Sequence, residues 1–321
     1  MKEFPAVNSG EGIATPRIAV ILPCYNEAGA IVRTVEDFRR ALPNADIYVF
    51  DNNSTDGSRE LAAGAGAIVR RVAQQGKGHV VRRMFADIDA DIYVMADGDA
   101  TYEAAAAPRM VAAMLADNLD MVVGSRKSAV EEAYRRGHRF GNAMLTGIVA
   151  WIFGNRISDM LSGYRAFSRR FVKSFPALSA GFETETEFTV HALELKMPVG
   201  EVQTAYKDRP AGSASKLRTY TDGLRILRTI VILVKEERPL QFFSITGAVL
   251  LLLGLLLSVP VVLDYIETGL VPRFPTAILS TGLVLLSFLS FACGLILDSV
   301  SRGRKEMKRI AYLSVPAVGT K

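Results

Sequence analysis

Two stretches in the last third of the chain constrain its fold more than any other feature. Leu240 to Leu263 and Phe274 to Leu297 contain no charged residue, and each is about the length that spans a bilayer as a helix. The break between them, Asp264 to Arg273, holds Pro272. Lys235 and Arg238 flank the first stretch, and Arg302, Arg304, Lys305, Lys308 and Arg309 follow the second, whereas the intervening loop carries only Arg273. Basic residues on both outer flanks predict that both ends lie in the cytoplasm. Gly254 with Ser258, and Ser290 with Gly294, have the spacing that lets membrane helices approach closely. The composition agrees: 50% of the 321 residues are hydrophobic, 22% are charged, and the mean hydropathy is +0.21. Residues 1–16 hold no apolar run of the signal-peptide kind, so a flexible leader and a cytoplasmic N-terminal domain are expected. Cys24 and Cys293 are too few and too far apart for a disulfide framework. His79, His138 and His191 show no metal-ligand spacing.

The first half of the chain alternates between short apolar runs and amphipathic segments. Ile18–Leu22, Ile47–Phe50, Ala67–Val69, Ile92–Met95 and Met121–Val123 read as strands, and the segments between them as helices. Ile31, Val35, Phe38 and Leu42 recur at helical spacing after the first strand. This alternation predicts an α/β domain with a mainly parallel sheet flanked by helices. The polar clusters follow the strands: Pro23-Cys24-Tyr25-Asn26-Glu27, then Asp51 and its Asn/Ser/Thr loop, Gly76-Lys77-Gly78, Asp97-Gly98-Asp99, and Gly124-Ser125-Arg126. Ligands of open α/β sheets sit beyond the carboxyl ends of the strands, so these clusters should converge on one cleft. PCYNEAG stands where a dinucleotide fingerprint would need GxGxxG, and the Gly76 loop lacks the first glycine of a phosphate loop.

Asp97 and Asp99 close a strand with a glycine between them. Two carboxylates this close repel, and one would stay protonated unless a cation sits between them. Mg²⁺ or Mn²⁺ meets that need and leaves positions for phosphate oxygens.

Further along, Arg135, Arg136 and Arg139 precede an apolar helix that includes Met144, Ile148 and Ile152. Asp159, Gly163 and Arg165 share a short segment, and Glu183, Glu185 and Glu187 alternate in another. Arg209 to Lys216 is a basic loop rich in serine and glycine, suited to an anionic group. Tyr220 to Lys235 interleaves arginines with aliphatic residues, as an interfacial amphipathic helix does. The expected organisation is a leader (1–16), an α/β domain (17–218), a juxtamembrane helix (219–239), two transmembrane helices (about 240–263 and 274–297) and a basic cytoplasmic tail (298–321).

PCYNEAGAI, DNNSTDGS, GKGHVVRRMF, ADGDATY, VVGSR, ISDMLSGYRAFSR and RPAGSASKL stand in this order along the chain. Together they resemble the motifs of the family-2 glycosyltransferases, in particular the dolichyl-phosphate mannose synthase-like polyprenyl-phosphate glycosyltransferases. The resemblance implies a GT-A fold and transfer of a sugar, with inversion, from a UDP- or GDP-linked donor to polyprenyl phosphate at the inner membrane. By the same resemblance, Pro23, Tyr25, Asn26, Glu27 and Asp51 line the nucleotide site, with Lys77 near the donor. Asp97 and Asp99 hold Mg²⁺ or Mn²⁺. Asp159 sits at the sugar with Arg165 nearby, and Asp159, Asp99 and Arg165 are the catalytic residues. Arg126, Arg136, Arg139, Arg209, Ser215 and Lys216 meet phosphates of donor or lipid. Asn52 replaces a frequent second acid, and Thr101 stands where many members have glutamine. The implied partners are a nucleotide sugar, a polyprenyl phosphate and the membrane, not nucleic acid; a homo-oligomer is left open. A processive polysaccharide synthase would carry QxxRW after the catalytic acid, but the only tryptophan, Trp151, precedes Asp159. An inactive sugar-nucleotide-binding scaffold is the other alternative, and the intact Asp97, Asp99 and Asp159 oppose it.

Overall fold

A computed structural model describes residues 15–127, 147, 159–177, 184–205, 231–232 and 234–318. Arg136, Arg139, Arg209, Ser215 and Lys216 lie outside these residues, as does most of the expected juxtamembrane helix. The chain divides into two compact units. One holds the N-terminal α/β domain together with Lys308 onward, and the other holds the two long apolar helices up to Met307.

The first unit is built on a seven-stranded sheet. Its strands are β1 (Ile18–Cys24), β2 (Asp46–Asp51), β3 (Ile68–Arg71), β4 (Ile92–Met95), β5 (Met121–Lys127), β6 (Arg165–Ser168) and β7 (Val199–Ala205). They are ordered β3-β2-β1-β4-β6-β5-β7. All neighbouring pairs run parallel except those of β6, which is antiparallel to both β4 and β5. The helices are α1 (Ile31–Ala41), α2 (Ser58–Gly64), α3 (Lys77–Asp87), α4 (Ala107–Ala116), α5 (Arg169–Ser174) and α6 (Thr184–Glu194).

The expected mainly parallel sheet is found, and the reason is local. Val20, Ile21, Leu22, Val49, Phe50 and all of β4 are fully buried, as strands covered on both faces must be. The predicted stripe of α1 forms as read: Ile31, Val35 and Phe38 face the core, and Leu42 closes the helix. What the hydropathy pattern does not reveal is β6. Its four residues, Arg165-Ala166-Phe167-Ser168, form no apolar run, yet all are buried, and they insert between β4 and β5 against the direction of both. Around them Phe85, Phe167, Phe171, Phe175 and Phe188 interlock at centroid distances of 4.6–6.3 Å.

The second unit pairs α7 (Pro239–Thr268) with α8 (Phe274–Leu313). Both are long and apolar enough to cross a membrane, and their most apolar windows are only 11% buried. They run antiparallel. A Cβ on Gly247 would meet the Ser287 carbonyl at 3.1 Å, one on Gly254 the Ser280 carbonyl at 3.1 Å, and one on Gly294 the Phe243 Cβ at 3.0 Å. The Ser290 hydroxyl donates to the Phe243 carbonyl at 2.9 Å. The small residues therefore form the seam, but at seven-residue steps: Ser280, Ser287, Gly294 and Ser301 on α8 are all buried. Ser258 is not part of it; its hydroxyl caps the Leu255 carbonyl of its own helix. Both helices outrun the uncharged stretches, because charge ends compatibility with lipid without breaking a helix. The residues past Leu297 contain no proline before Leu313, so α8 continues through them.

Candidate active site

Each polar cluster after a strand is fastened to its neighbour. After β1, the Asn26 amide donates to Ser54 Oγ at 2.9 Å and Asn26 Oδ1 accepts from the Thr55 amide at 2.8 Å. The Glu27 amide donates to Ser58 Oγ at 2.8 Å. Asp51 is buried and its Oδ1 accepts from the Ser54 amide at 3.2 Å. Tyr25 stands at the rim, 38% exposed, and Pro23 pairs with Phe50 across β1 and β2. Asn26 (φ 53°) and Asn53 (φ 66°) hold left-handed conformations in these loops, which asparagine tolerates better than most residues.

Asn52 has a structural task. Its Nδ2 donates to the carbonyls of Val72 (3.0 Å) and Gln74 (2.7 Å), and its Oδ1 accepts from the Gly76 amide (2.8 Å). An amide supplies both donor and acceptor, whereas a carboxylate supplies acceptors alone. The unusual residue after Asp51 thus fixes the loop that delivers Lys77 to the start of α3.

Lys77 lies at the centre of a buried charge network. Its Nζ is 2.6 Å from Asp97 Oδ1 and 2.5 Å from Glu185 Oε1. Burial opposes the ammonium charge, but Asp97 and Glu185 outweigh it and raise the lysine above its ordinary pKa. Asp99 is buried, and its Oδ1 accepts from the Thr101 hydroxyl (2.6 Å) and the Thr101 amide (3.2 Å). Ala100, next to it, takes φ 58°, a conformation that costs a non-glycine residue about 1–3 kcal/mol and tends to persist at functional sites. From α1, the Thr34 hydroxyl reaches the Gly98 carbonyl at 3.2 Å.

The segment Asp159–Arg165 closes over this turn. The Gly163 amide donates to Tyr102 Oη at 3.0 Å, and a Cβ on Gly163 would stand 2.9 Å from Asp97 Oδ2. Only glycine allows the backbone this close to the carboxylate. Asp159 meets Arg126 in a two-pronged pair, Nε–Oδ2 2.8 Å and Nη2–Oδ1 2.9 Å. Burial would raise the Asp159 carboxyl, but the Arg126 hydrogen bonds and charge hold it below its usual value. Arg165 lies beneath the site with no exposed surface. Its guanidinium donates to the carbonyls of Ser162 (2.9 Å) and Met160 (2.5 Å) and to Thr189 Oγ1 (2.9 Å). Burial pulls it down to about 10, so it stays charged at neutral pH.

The fold thus brings Asp97, Lys77 and Gly163 together, and joins Arg126 to Asp159, from stretches far apart in sequence. Glu185 has no role in the sequence reading beyond its place among three alternating acids, and nothing in that pattern points to Lys77, 108 residues away. Among the described residues, no group of three or more histidine, cysteine or acidic side chains could by itself hold a metal ion. The donors at the turn are the hard oxygens of Asp97 and Asp99, and Asp97 already rests against a cation. That set fits Mg²⁺ or Mn²⁺ as an ion whose remaining ligands come from substrate and water.

An α/β sheet with paired acids at a strand end, and relatives to match, defines a sugar-transferring enzyme. The Glycosyl transferase family 2 profile matches residues 19–175. Glycosyltransferase AglJ of Haloferax volcanii is 34% identical over 299 residues, covering 92% of this chain and 98% of that protein. The dolichyl-phosphate hexose transferase of the same organism is 27% identical over 221 residues, 69% of this chain and 95% of that one. Among solved structures, glucosyl-3-phosphoglycerate synthase from Mycobacterium tuberculosis, in complex with Mn²⁺, UDP and phosphoglyceric acid, superposes with a TM-score of 0.55 at 21% identity. The match covers 69% of this chain and 78% of that one. The chain belongs to glycosyltransferase family 2, and its fold is GT-A-like.

Proposed function

We propose that this glycosyltransferase moves a sugar from a UDP- or GDP-linked donor to a polyprenyl phosphate, inverting the anomeric centre. The product is a lipid-monophosphate sugar for cell-envelope glycans or lipid modification. The observation that carries this reading is the Lys77–Asp97 pair at the end of β4, roofed by the Gly163 backbone. It is supported by the relatives named for polyprenyl-phosphate hexose transfer and by a fold neighbour solved in complex with Mn²⁺ and UDP.

In this reading Pro23, Tyr25, Asn26, Glu27 and Asp51 line the nucleotide. Asp97 and Asp99 hold Mg²⁺ or Mn²⁺, which when bound supplies positive charge against the leaving nucleoside diphosphate. Lys77 adds the positive charge of its ammonium on the same side. An oxygen of the acceptor phosphate forms the bond to the anomeric carbon as the bond to the diphosphate oxygen breaks. By analogy with phosphorylated side chains, whose second pKa is about 6, that phosphate is already an anion at neutral pH. Asp159 therefore orients sugar or acceptor rather than removing a proton, and its pairing with Arg126 suits that role. Arg165 acts as a positioning residue that holds the Met160–Ser162 backbone. Arg126, with Arg136, Arg139, Arg209, Ser215 and Lys216, meets phosphates. α7 and α8 cross the inner membrane, with the α/β domain and both ends on the cytoplasmic side; the basic residues at the outer flanks support this.

The test is a screen of UDP- and GDP-sugars with a polyprenyl phosphate in detergent or vesicles, reading lipid product by mass spectrometry. The expected result is one dominant lipid-phosphate hexose. Sugar transfer only to non-lipid acceptors would defeat the proposal.

A further inference from the structure

Lys77 holds the metal carboxylate Asp97 and the buried Glu185 at once, at 2.6 and 2.5 Å. The second oxygen of Glu185, Oε2, is buried and has no hydrogen-bond partner among the described residues. The Glu185 side chain is only 7% exposed. A buried carboxylate oxygen without a donor leaves its desolvation cost uncompensated. Arg165 also attracts Glu185 electrostatically, but its guanidinium donates to Ser162, Met160 and Thr189. Among the described residues the ammonium of Lys77, with three donors, is the cation bonded to Glu185 whose hydrogen bonds can be redistributed.

A divalent ion entering between Asp97 and Asp99 competes with that ammonium for Asp97 Oδ1. We propose that Glu185 is the receiving site for Lys77. When Asp97 takes the metal, the ammonium shifts onto both oxygens of Glu185 and stays beside the diphosphate as a second positive charge. Lys77 is then a resident counter-ion that rests on Asp97 before the metal arrives, and Glu185 is a positioning residue that gives the displaced ammonium a second partner. This rests on the assignment of Asp97 and Asp99 to the metal. It adds a partner, Glu185, that neither the motif order nor the relatives' names assign.

The exchange predicts coupling between three side chains and the metal. Mn²⁺ binding to the full-length detergent-solubilised protein is read by electron paramagnetic resonance, with UDP and, separately, GDP. Glu185→Gln keeps the shape but offers the ammonium no charge, so Lys77 stays on Asp97 and Mn²⁺ affinity falls about tenfold. Lys77→Gln removes the competitor, so the Mn²⁺ affinity in the absence of nucleotide rises. In the double variant, Glu185→Gln has no further effect on Mn²⁺ affinity. Glu185→Asp, which keeps the charge, restores at least part of the wild-type affinity and covers the case in which the glutamine variant folds poorly. An unchanged Mn²⁺ affinity in Glu185→Gln overturns the proposal. So does a tenfold loss that persists in the Lys77→Gln background, because Glu185 would then act on the metal without Lys77. No Mn²⁺ binding in the wild type with either nucleotide overturns the metal assignment of Asp97 and Asp99, and the exchange with it.

Discussion

Asp159 and Asp99 are both buried carboxylates, but their surroundings assign them different work. Asp159 is tied to Arg126 through both oxygens, whereas Asp99 Oδ1 rests on the hydroxyl and amide of Thr101 in the turn itself. An amide at position 159 keeps the size and part of the hydrogen bonding to Arg126. An alanine at 99 removes one of the two proposed metal donors outright. Asp99→Ala is therefore expected to abolish transfer at every metal concentration, while Asp159→Asn retains a measurable remnant, about 1% or more of the rate, as expected when one orienting interaction of roughly 2–3 kcal/mol is lost. Initial rates at saturating and limiting Mn²⁺ separate the two; equal and total loss in both variants counts against the division of roles. The same contrast explains why Asn52 does not weaken the site: its amide holds three partners in the loop before α3.

α6 and the end of α8 meet in the first unit through charge and aromatic contacts. Lys308 Nζ is 2.7 Å from Glu194 Oε2, and Tyr312 Oη donates to Asp120 Oδ2 at 2.7 Å. Asp120, fully buried, also accepts from Ser168 and Arg170. The Arg170 guanidinium lies over the Tyr312 ring, 4.9 Å from its centre. Beneath this junction His191 sits edge-on to Phe171 and Phe175, with Nε2 3.0 Å from Ser174 Oγ. Burial, helped by Lys308, lowers its pKa from 6.5 to about 3. Between those two values the unfolded chain binds a proton that the folded chain refuses, so stability falls as pH drops below about 6.5 and levels off near 3. The loss by pH 4 is on the order of 3 kcal/mol. Chemical denaturation between pH 7 and 4 is expected to show this slope, with His191→Leu visibly flatter than wild type. Parallel slopes would remove His191 from the account.

For the chain as a whole, the proposed anchoring and the proposed chemistry suit one substrate. A polyprenyl phosphate keeps its tail in lipid and its head group at the surface, where basic flanking residues attract it. With the full-length protein in vesicles, long-chain acceptors are expected to show a KM several-fold below that of short soluble analogues, with kcat little changed. Equal KM values would argue that the two helices anchor without presenting substrate. Single cysteines placed at Thr268 and Ala317, on a background lacking Cys24 and Cys293, give the topology. An impermeant thiol reagent added outside intact cells is expected to label position 268 and spare 317.

Much of this protein is decided by local patterns. Continuous apolar runs make buried parallel strands, the stripe Ile31–Val35–Phe38 makes α1, and two uncharged stretches make helices long enough to cross a bilayer, because each depends on neighbours in sequence. Asp97-Gly98-Asp99 stands out as a candidate metal pair for the same reason, since its chemistry is contained in three residues. Only the tertiary structure decided that Arg165–Ser168 is a strand and enters the sheet against its neighbours, since RAFS carries no apolar run to mark it. Likewise it decided that Arg165 is spent on carbonyls beneath the site, that the helix seam repeats every seven residues, and that Lys77 is shared between Asp97 and Glu185. These are pairings between distant residues. Their free energy comes from burying charges against particular partners, and a single side chain in a sequence does not name its partner.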